Sequence, residues 1–426
     1  MADASLLLSY EQGFQKISIL SAAFVVCMYY FDLYDSTVLS NKREVLTRLI
    51  QALGTVAIVL ACLYYVYPPL ELGRGIVLVG MVIAAVILAL WRRMFLALNS
   101  LPRFAERAVI FGDAPLGKLL LNEVGTRPEL GLRIVGQISE VAAENGAPPC
   151  GEGRFRSDLA RMMESERARR IILAMDERRG KLPVEQLLEL KTQGVVVQDG
   201  ADFYEAVTGK VHYESLRLGW LLFSTGIKAS RLTLVVKRAT SFSLSALGLV
   251  LALPLLPFIA AAIKLTSEGP LIYKQERVGR DGNLFDCYKF RTMRTDAEAG
   301  TGPKFATADD PRVIPVGRFL RASRLDEIPQ IWNVLKGDMN LVGPRPERPE
   351  FVDRFNQEIP WYRLRHSIPP GITGWAQVLY GYGNSLEDTK QKLAYDLFYI
   401  KNMSYGLDLL ILFHTVKIIL LGRGAK

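Results

Sequence analysis

The sequence predicts a membrane-bound α+β protein in three parts: transmembrane helices over 1–103, a small doubly wound α/β domain over 104–225, and a C-terminal domain over 226–426. The last part is expected to carry a re-entrant membrane helix at about 235–265 and amphipathic interfacial helices. Three observations lead there. Residues 1–103 hold three apolar segments of spanning length, residues 106–222 alternate short apolar runs with helical stretches, and an uncharged run from Ser241 to Ile263 has cations at both ends. Half of the 426 residues are apolar, high for a soluble protein, and the length exceeds one ordinary core of roughly 100–200 residues.

The first apolar segments lie near 17–34, 48–67 and 76–97, each close to the ~20 residues a helix needs to cross a bilayer. No positive leader with a small-residue cleavage site precedes the first, which reads as an anchor. Lys42, Arg43 and Arg48 follow the first segment and Arg92, Arg93, Arg103 and Arg107 follow the third, while the link PPLELGRG holds one cation. By the positive-inside rule the first link and everything after Arg92 face the cytoplasm. The amino terminus is then outside, as three spans require, which points to a missing first helix. Next, AVIFG (108–112), LRIVGQI (132–138), RIILAM (170–175) and VVVQDG (195–200) read as buried parallel strands, the pattern of a doubly wound domain. The first turn, Gly112 to Gly117, lacks the GxGxxG spacing that lets backbone approach a pyrophosphate. A structural or regulatory module is therefore favoured over a nucleotide site.

Lys228, Arg231, Lys237 and Arg238 precede the uncharged run, and Lys264 and Lys274 follow it. Pro254 at its middle and Pro257 one turn on each remove a backbone donor and clash with the preceding turn, so the helix bends at Leu253-Pro254. A helix that enters, turns and leaves on one face satisfies the charges and keeps its backbone mostly paired. The alternative, a straight fourth span, would put residue 264 onward outside. The tail over 393–422 is apolar but broken by Asp396, Lys401, Asp408 and Lys417, so it reads as an interfacial or packed helix rather than a span.

The chemistry concentrates in RASRLDEIPQIWNVLKGDMNLVGPRP, residues 321–346. Adjacent carboxylates, Asp326 and Glu327, lie between Arg321 and Arg324 on one side and Arg345 and Arg348 on the other, ahead of a rigid Pro344-Arg345-Pro346 corner. Flanking guanidinium groups favour the ionised carboxylate, which suits a nucleophile or a ligand to a divalent cation. Guanidinium also grips phosphate through two hydrogen bonds at once. A solvated acidic and basic helix end is the alternative. Upstream, Lys274, Arg277, Arg280, Lys289, Arg291 and Arg294 leave the membrane run directly and can meet lipid headgroups and a phosphorylated ligand. The net charge of +9 is thereby accounted for without nucleic acid. Four cysteines without a CxxC and three scattered histidines imply neither a disulfide scaffold nor a zinc site.

The order of Lys237-Arg238 before a proline-broken apolar helix, then GPLIYKQERVG, YKFRTM, LDEIPQIWNVLKGDMNLVGPRP and PPGITGWAQV, closely resembles the bacterial monotopic phosphoglycosyl transferases. With the N-terminal helices and α/β domain, the chain resembles their large form, the exopolysaccharide polyprenyl glycosylphosphotransferases. The resemblance implies transfer of a sugar 1-phosphate from a UDP-sugar to undecaprenyl phosphate at the bacterial inner membrane, with the C-terminal domain on the cytoplasmic face. It implies Asp326 as nucleophile, Glu327 as its partner, Mg2+ at the pair, and Arg321, Lys289, Arg291 and Arg345 on phosphates, with Pro344 and Pro346 framing the last. Membrane lipids and a second copy of the chain, as a homodimer, are the further candidate partners. Departures are Ser241 where the family commonly has Asp, Pro369 where it has Lys, and Leu379-Tyr380-Gly381 where many members have Asn-Gly-Arg. The family's large members usually have four N-terminal spans. A polytopic lipid-phosphate transferase would need more spanning helices, and a regulatory or nucleotide-sugar-binding protein without transferase activity would not need the carboxylate pair.

Overall fold

The computed structural model describes residues 13–31, 33, 42–70, 105–112, 114–127, 130–138, 162–175, 182–213, 231–297, 310–381, 383 and 385–420, with single positions between 75 and 94. The third apolar segment, Lys228 and Arg103 lie largely or wholly outside these. The chain divides into two compact units, 1–200 and 201–426.

In the first unit, α1 (Gly13–Tyr30) and α2 (Lys42–Val66) pack through Phe24, Cys27 and Met28 against Ala52, Val56 and Leu60. Their apolar portions, Phe14–Tyr30 and Gln51–Tyr65, are shorter than the ~20 residues a helix needs to cross a bilayer. The four predicted strands are present as β1 (Glu106–Phe111), β2 (Leu132–Ile138), β3 (Arg170–Leu173) and β4 (Val196–Asp199), with α3 (Pro115–Thr126) and α4 (Val184–Thr192) between them. All pairings are parallel, in the order β2-β1-β3-β4. Buried Val109, Phe111, Ile171 and Leu173 make its core with Met163 and Leu187, as expected where helices cover a parallel sheet. The first turn is closed by the protein: Gln137 Nε2 donates to the Gly112 carbonyl at 2.7 Å, and a Cβ on Gly112 would meet Ala174 O at 2.2 Å.

The second unit begins with α5 (Gly200–Thr208), of which residues 201–208 belong to it. Then comes the run from Arg231 to Thr266, 36 residues that are long and apolar enough to cross a membrane by length and composition. It is α6 (Arg231–Ala252), a 3-10 turn at Leu253–Leu255, and α7 (Leu256–Thr266). Pro254 thus sits in the break, and Pro257 in the first turn of α7, where its missing N–H costs nothing. An antiparallel hairpin, β5 (Ile272–Val278) and β6 (Leu284–Phe290), follows. The remainder is α8 (Pro315–Ala322), α9 (Gln330–Lys336), β7 (Asn340–Val342), α10 (Pro349–Glu358), β8 (Gly371–Thr373), α11 (Trp375–Leu379), α12 (Leu386–Lys401) and α13 (Tyr405–Leu420), with β7 and β8 paired in parallel.

The charges that interrupt the apolar tail are buried partners, not solvated breaks. Asp396 on α12 meets Arg365 at 2.8 Å, Lys401 meets Glu205 of α5 at 2.8 Å, and Asp408 on α13 meets Lys237 of α6 at 2.7 Å. Burying such a pair is tolerable because each partner removes the other's desolvation penalty in part. Val342, Phe355, Tyr362, Leu393, Leu397 and Ile411 pack the core around them. Both α12 and α13 are therefore packed helices.

Candidate active site

The carboxylate pair stands on a 3-10 turn, Leu325–Glu327, between α8 and α9. Arg324 opens it with φ of 58°, a left-handed conformation that costs a non-glycine residue about 1–2 kcal/mol. That reversal puts two successive side chains, Asp326 and Glu327, into the interior, where they are 7% and 9% exposed.

The two carboxylates have different surroundings. Glu327 Oε1 accepts from Lys289 Nζ at 3.0 Å and from both terminal nitrogens of Arg345 at 3.3 Å. Asp326 accepts no hydrogen bond from the described residues. Burial pushes the Glu327 carboxyl up, but Lys289, Arg345 and Arg324 outweigh it and hold it well below the usual carboxylate range. For Asp326, burial and the charge of Glu327 raise the carboxyl above its ordinary value against the opposing pull of Lys289, Arg321 and Arg345. The sequence leads one to expect the guanidinium groups to favour ionised Asp326; in the fold their favour goes chiefly to Glu327.

Lys289 comes from β6, whose backbone is clamped by a residue the sequence reading did not single out. Asn333 on α9, fully buried, accepts from Tyr288 N at 3.1 Å and donates to Asp286 O at 2.7 Å. Its signal is present only as a polar residue on the inner face of an otherwise apolar helix turn.

Arg345 is fixed through the backbone of its corner. The three successive carbonyls of Pro344, Arg345 and Pro346 accept from Gly371 N (2.9 Å), Arg365 Nη2 (3.0 Å) and Arg277 Nη1 (3.1 Å). The two prolines contribute no donors, so the carbonyls set the corner's hold. Close backbone approach makes Gly343 and Gly371 necessary: a Cβ on Gly371 would lie 2.1 Å from Gly343 N. Arg277 also faces Glu347 at 3.7 Å, and Arg365 takes Asp396 and Tyr362 Oη. These five residues were not legible as a network in the sequence.

Arg321, at the end of α8, donates from Nε to Thr292 Oγ1 at 2.9 Å and is felt electrostatically by Asp326. Arg291 is placed elsewhere. Its guanidinium donates to the carbonyls of Ser267, at 2.7 Å, and Glu268 at the end of α7. Gly269, with φ of 120°, leaves the room: a Cβ there would be 2.1 Å from Arg291 Nη1. Lys237 and Arg238 also turn inward. Lys237 Nζ donates to Asp408 at 2.7 Å and to Tyr399 Oη, while Arg238 donates to the carbonyls of Val334, Leu335 and Met339 at the end of α9. Ser241 Oγ accepts from Leu341 N at 3.4 Å. The cations of the hairpin are mostly paired within the protein, Lys274 with Asp286 and Arg277 with Glu347, leaving Lys289 as the one that reaches the carboxylate pair.

The site therefore combines a buried aspartate that accepts no hydrogen bond from the described residues, a glutamate with one oxygen held by two cations, and a rigid corner that presents Arg345. Residues 232–422 match the family described as bacterial sugar transferase, and residues 29–195 match the family described as CoA-binding domain. Among curated relatives, the UDP-N-acetylgalactosamine-undecaprenyl-phosphate N-acetylgalactosaminephosphotransferase of Aeromonas hydrophila is 44% identical over 52% of this chain and 52% of its own length. The UDP-glucose:undecaprenyl-phosphate glucose-1-phosphate transferases of Escherichia coli (strain K12) and Klebsiella pneumoniae are 34% and 35% identical, over 72% and 74% of this chain. The chain spans 66% and 68% of those two relatives' lengths.

Proposed function

The chain belongs to the bacterial sugar transferase family, and from that premise we propose that it transfers a sugar 1-phosphate from a UDP-sugar to undecaprenyl phosphate through a covalent phosphosugar on Asp326. The product, a lipid diphosphate sugar, would initiate an exopolysaccharide or other glycoconjugate. The observation that carries this reading is the asymmetry of the pair: Glu327 is occupied by Lys289 and Arg345, whereas Asp326 is buried with its oxygens unclaimed by the described residues.

An Asp326 oxygen attacks the phosphorus that bears the sugar. The bond from that phosphorus to the bridging oxygen breaks, and UMP leaves with the electron pair. An oxygen of the lipid phosphate then attacks the same phosphorus and displaces the Asp326 carboxylate, so the enzyme is restored. Arg345, Lys289 and Arg321 offset the charge on the phosphoryl oxygens as it develops. Glu327, kept ionised, holds Arg345 and Lys289 in position beside the nucleophile. Arg291 secures the end of α7 instead of gripping a phosphate.

Mg2+ fits this donor set only in part, since two adjacent carboxylates are present and no group of three or more ligating side chains occurs among the described residues. Such a site suits an ion that shares one or two carboxylates with substrate phosphates. Asp326 and Glu327 would hold it, and when bound it neutralises diphosphate charge. Direct attack by the lipid phosphate, with Asp326 as a metal ligand only, is the second reading, since either role calls for an ionised aspartate.

The membrane arrangement we propose is re-entrant, with the catalytic unit on the cytoplasmic face of the inner membrane. Support comes from both halves of the Arg231–Thr266 run. Arg238 of α6 binds the end of α9, and Ile259 and Ile263 of α7 pack with Phe290, Ile314 and Leu320 of the same unit. Incubation with undecaprenyl phosphate and a panel of radiolabelled UDP-sugars tests the activity: one sugar should pass into the lipid fraction. Transfer of none, with the acceptor and Mg2+ present, would refute it.

A further inference from the structure

The backbone that follows the Pro344-Arg345-Pro346 corner leads into a cleft lined by Glu347, Tyr362, Arg365, Gly383, Thr389 and Lys392. Most of its polar groups are committed. Arg365 is paired with Asp396, Glu347 faces Arg277, and Thr389 Oγ1 donates to Ser385 O at 3.0 Å. Lys392 differs. Its Nζ donates to the carbonyl of Gly383, and no carboxylate of the described residues lies within ion-pair distance of it. Asp388, one turn earlier on α12, is taken by the amide and hydroxyl of Ser385 and by Tyr380 Oη. An ammonium with spare donors thus stands in a half-buried place without an ion-pair partner among the described residues, Glu347 and Asp388 acting on it only from a distance. Burial lowers its pKa, Glu347 and Asp388 oppose this, and Arg345 and Arg365 lower it further.

The position of the cation is set by close packing. A Cβ on Gly383 would lie 2.2 Å from the Asp388 carboxyl carbon, so a larger residue there would have to displace the carboxylate that Ser385 and Tyr380 hold. The enclosed space is water-sized, enough for one oxygen of an anion and not for a whole phosphate.

We propose that Lys392 and Arg345 form a phosphoryl subsite, in which an oxygen of the phosphoryl group enters the cleft and takes the spare donors of Lys392 while Arg345 grips a neighbouring oxygen. This rests on the transferase reading and deepens it. The group is the phosphate of the departing nucleoside monophosphate or that of the lipid acceptor, since both offer the same chemistry.

The test uses the full chain in detergent, comparing wild type with Lys392→Gln and Lys392→Arg. UMP binding is measured by calorimetry, and steady-state kinetics are run with UDP-sugar and with undecaprenyl phosphate varied in turn. Loss of a charge-assisted bond predicts about tenfold weaker UMP binding in Lys392→Gln, with a matching rise in KM for the UDP-sugar and little change in kcat. Lys392→Arg should recover most of both. If instead only the KM for undecaprenyl phosphate rises, the subsite stands and its ligand is the lipid phosphate. Unchanged affinity for both ligands, or a fall in kcat and thermal stability that arginine does not rescue, would show Lys392 to be a loop latch and overturn the proposal. Wild type that binds UMP through Lys392 yet transfers nothing would sink the transferase reading and leave the subsite intact.

Discussion

At the scale of single residues, the proposed chemistry turns on the inequality between two neighbouring carboxylates. The proposed attack by Asp326 needs an ionised carboxylate, and burial together with the charge of Glu327 raises its pKa. The ionised fraction therefore falls as the pH drops through a value above the ordinary aspartate pKa of about 3.9. The acidic limb of kcat/KM for the UDP-sugar should lie above that value and rise to a plateau with increasing pH. Glu327→Gln removes the neighbouring charge, so the limb should move down even as the rate falls. A limb that stays put in Glu327→Gln would mean that another group titrates. In the proposed mechanism the raised pKa is of use, because a more basic carboxylate is the stronger nucleophile once ionised.

At the scale of elements, the broken helix is the part most open to test. Arg231 and Lys274 are exposed residues at its two ends. In a background freed of native cysteines, Arg231→Cys and Lys274→Cys should both be labelled only from the cytoplasmic side. Labelling of the second from outside would establish a straight span. Pro254→Ala restores a backbone donor in the 3-10 turn and should straighten the helix toward spanning and lower activity. The far end of α7 depends on Gly269, whose left-handed backbone and missing Cβ admit the Arg291 guanidinium. Gly269→Ala should destabilise the protein by about 1–3 kcal/mol in a urea titration, whereas Ser267→Ala, which leaves the accepting carbonyl in place, should be nearly neutral.

At the scale of the whole molecule, what the sequence discloses is local. Apolar runs bounded by turn residues located β1 to β4 within a residue or two; the central β1 and β3 are largely buried, as a composition apolar on both faces announces, whereas the edge strands β2 and β4, read as buried, are only partly so. Pro254 located the helix break because its ring and missing donor act on their own turn. Partner choice was hidden. Arg365 finds Asp396 across 31 residues and Lys237 finds Asp408 across 171, and nothing in the spacing of those charges distinguishes a buried partner from a solvated one. The same holds at the site. Lys289 and Arg291 stand two apart and read as equivalent phosphate ligands, yet one meets Glu327 and the other caps α7.

The proposed covalent role of Asp326 is tested most directly by release of UMP in the absence of any lipid acceptor. The full chain, mixed with the accepted UDP-sugar and Mg2+ but no undecaprenyl phosphate, should release UMP up to one equivalent per protein and retain one labelled sugar phosphate. Asp326→Asn should abolish both. No UMP without acceptor, no labelled protein and intersecting double-reciprocal plots would contradict the covalent mechanism and favour direct transfer with Asp326 as a metal ligand.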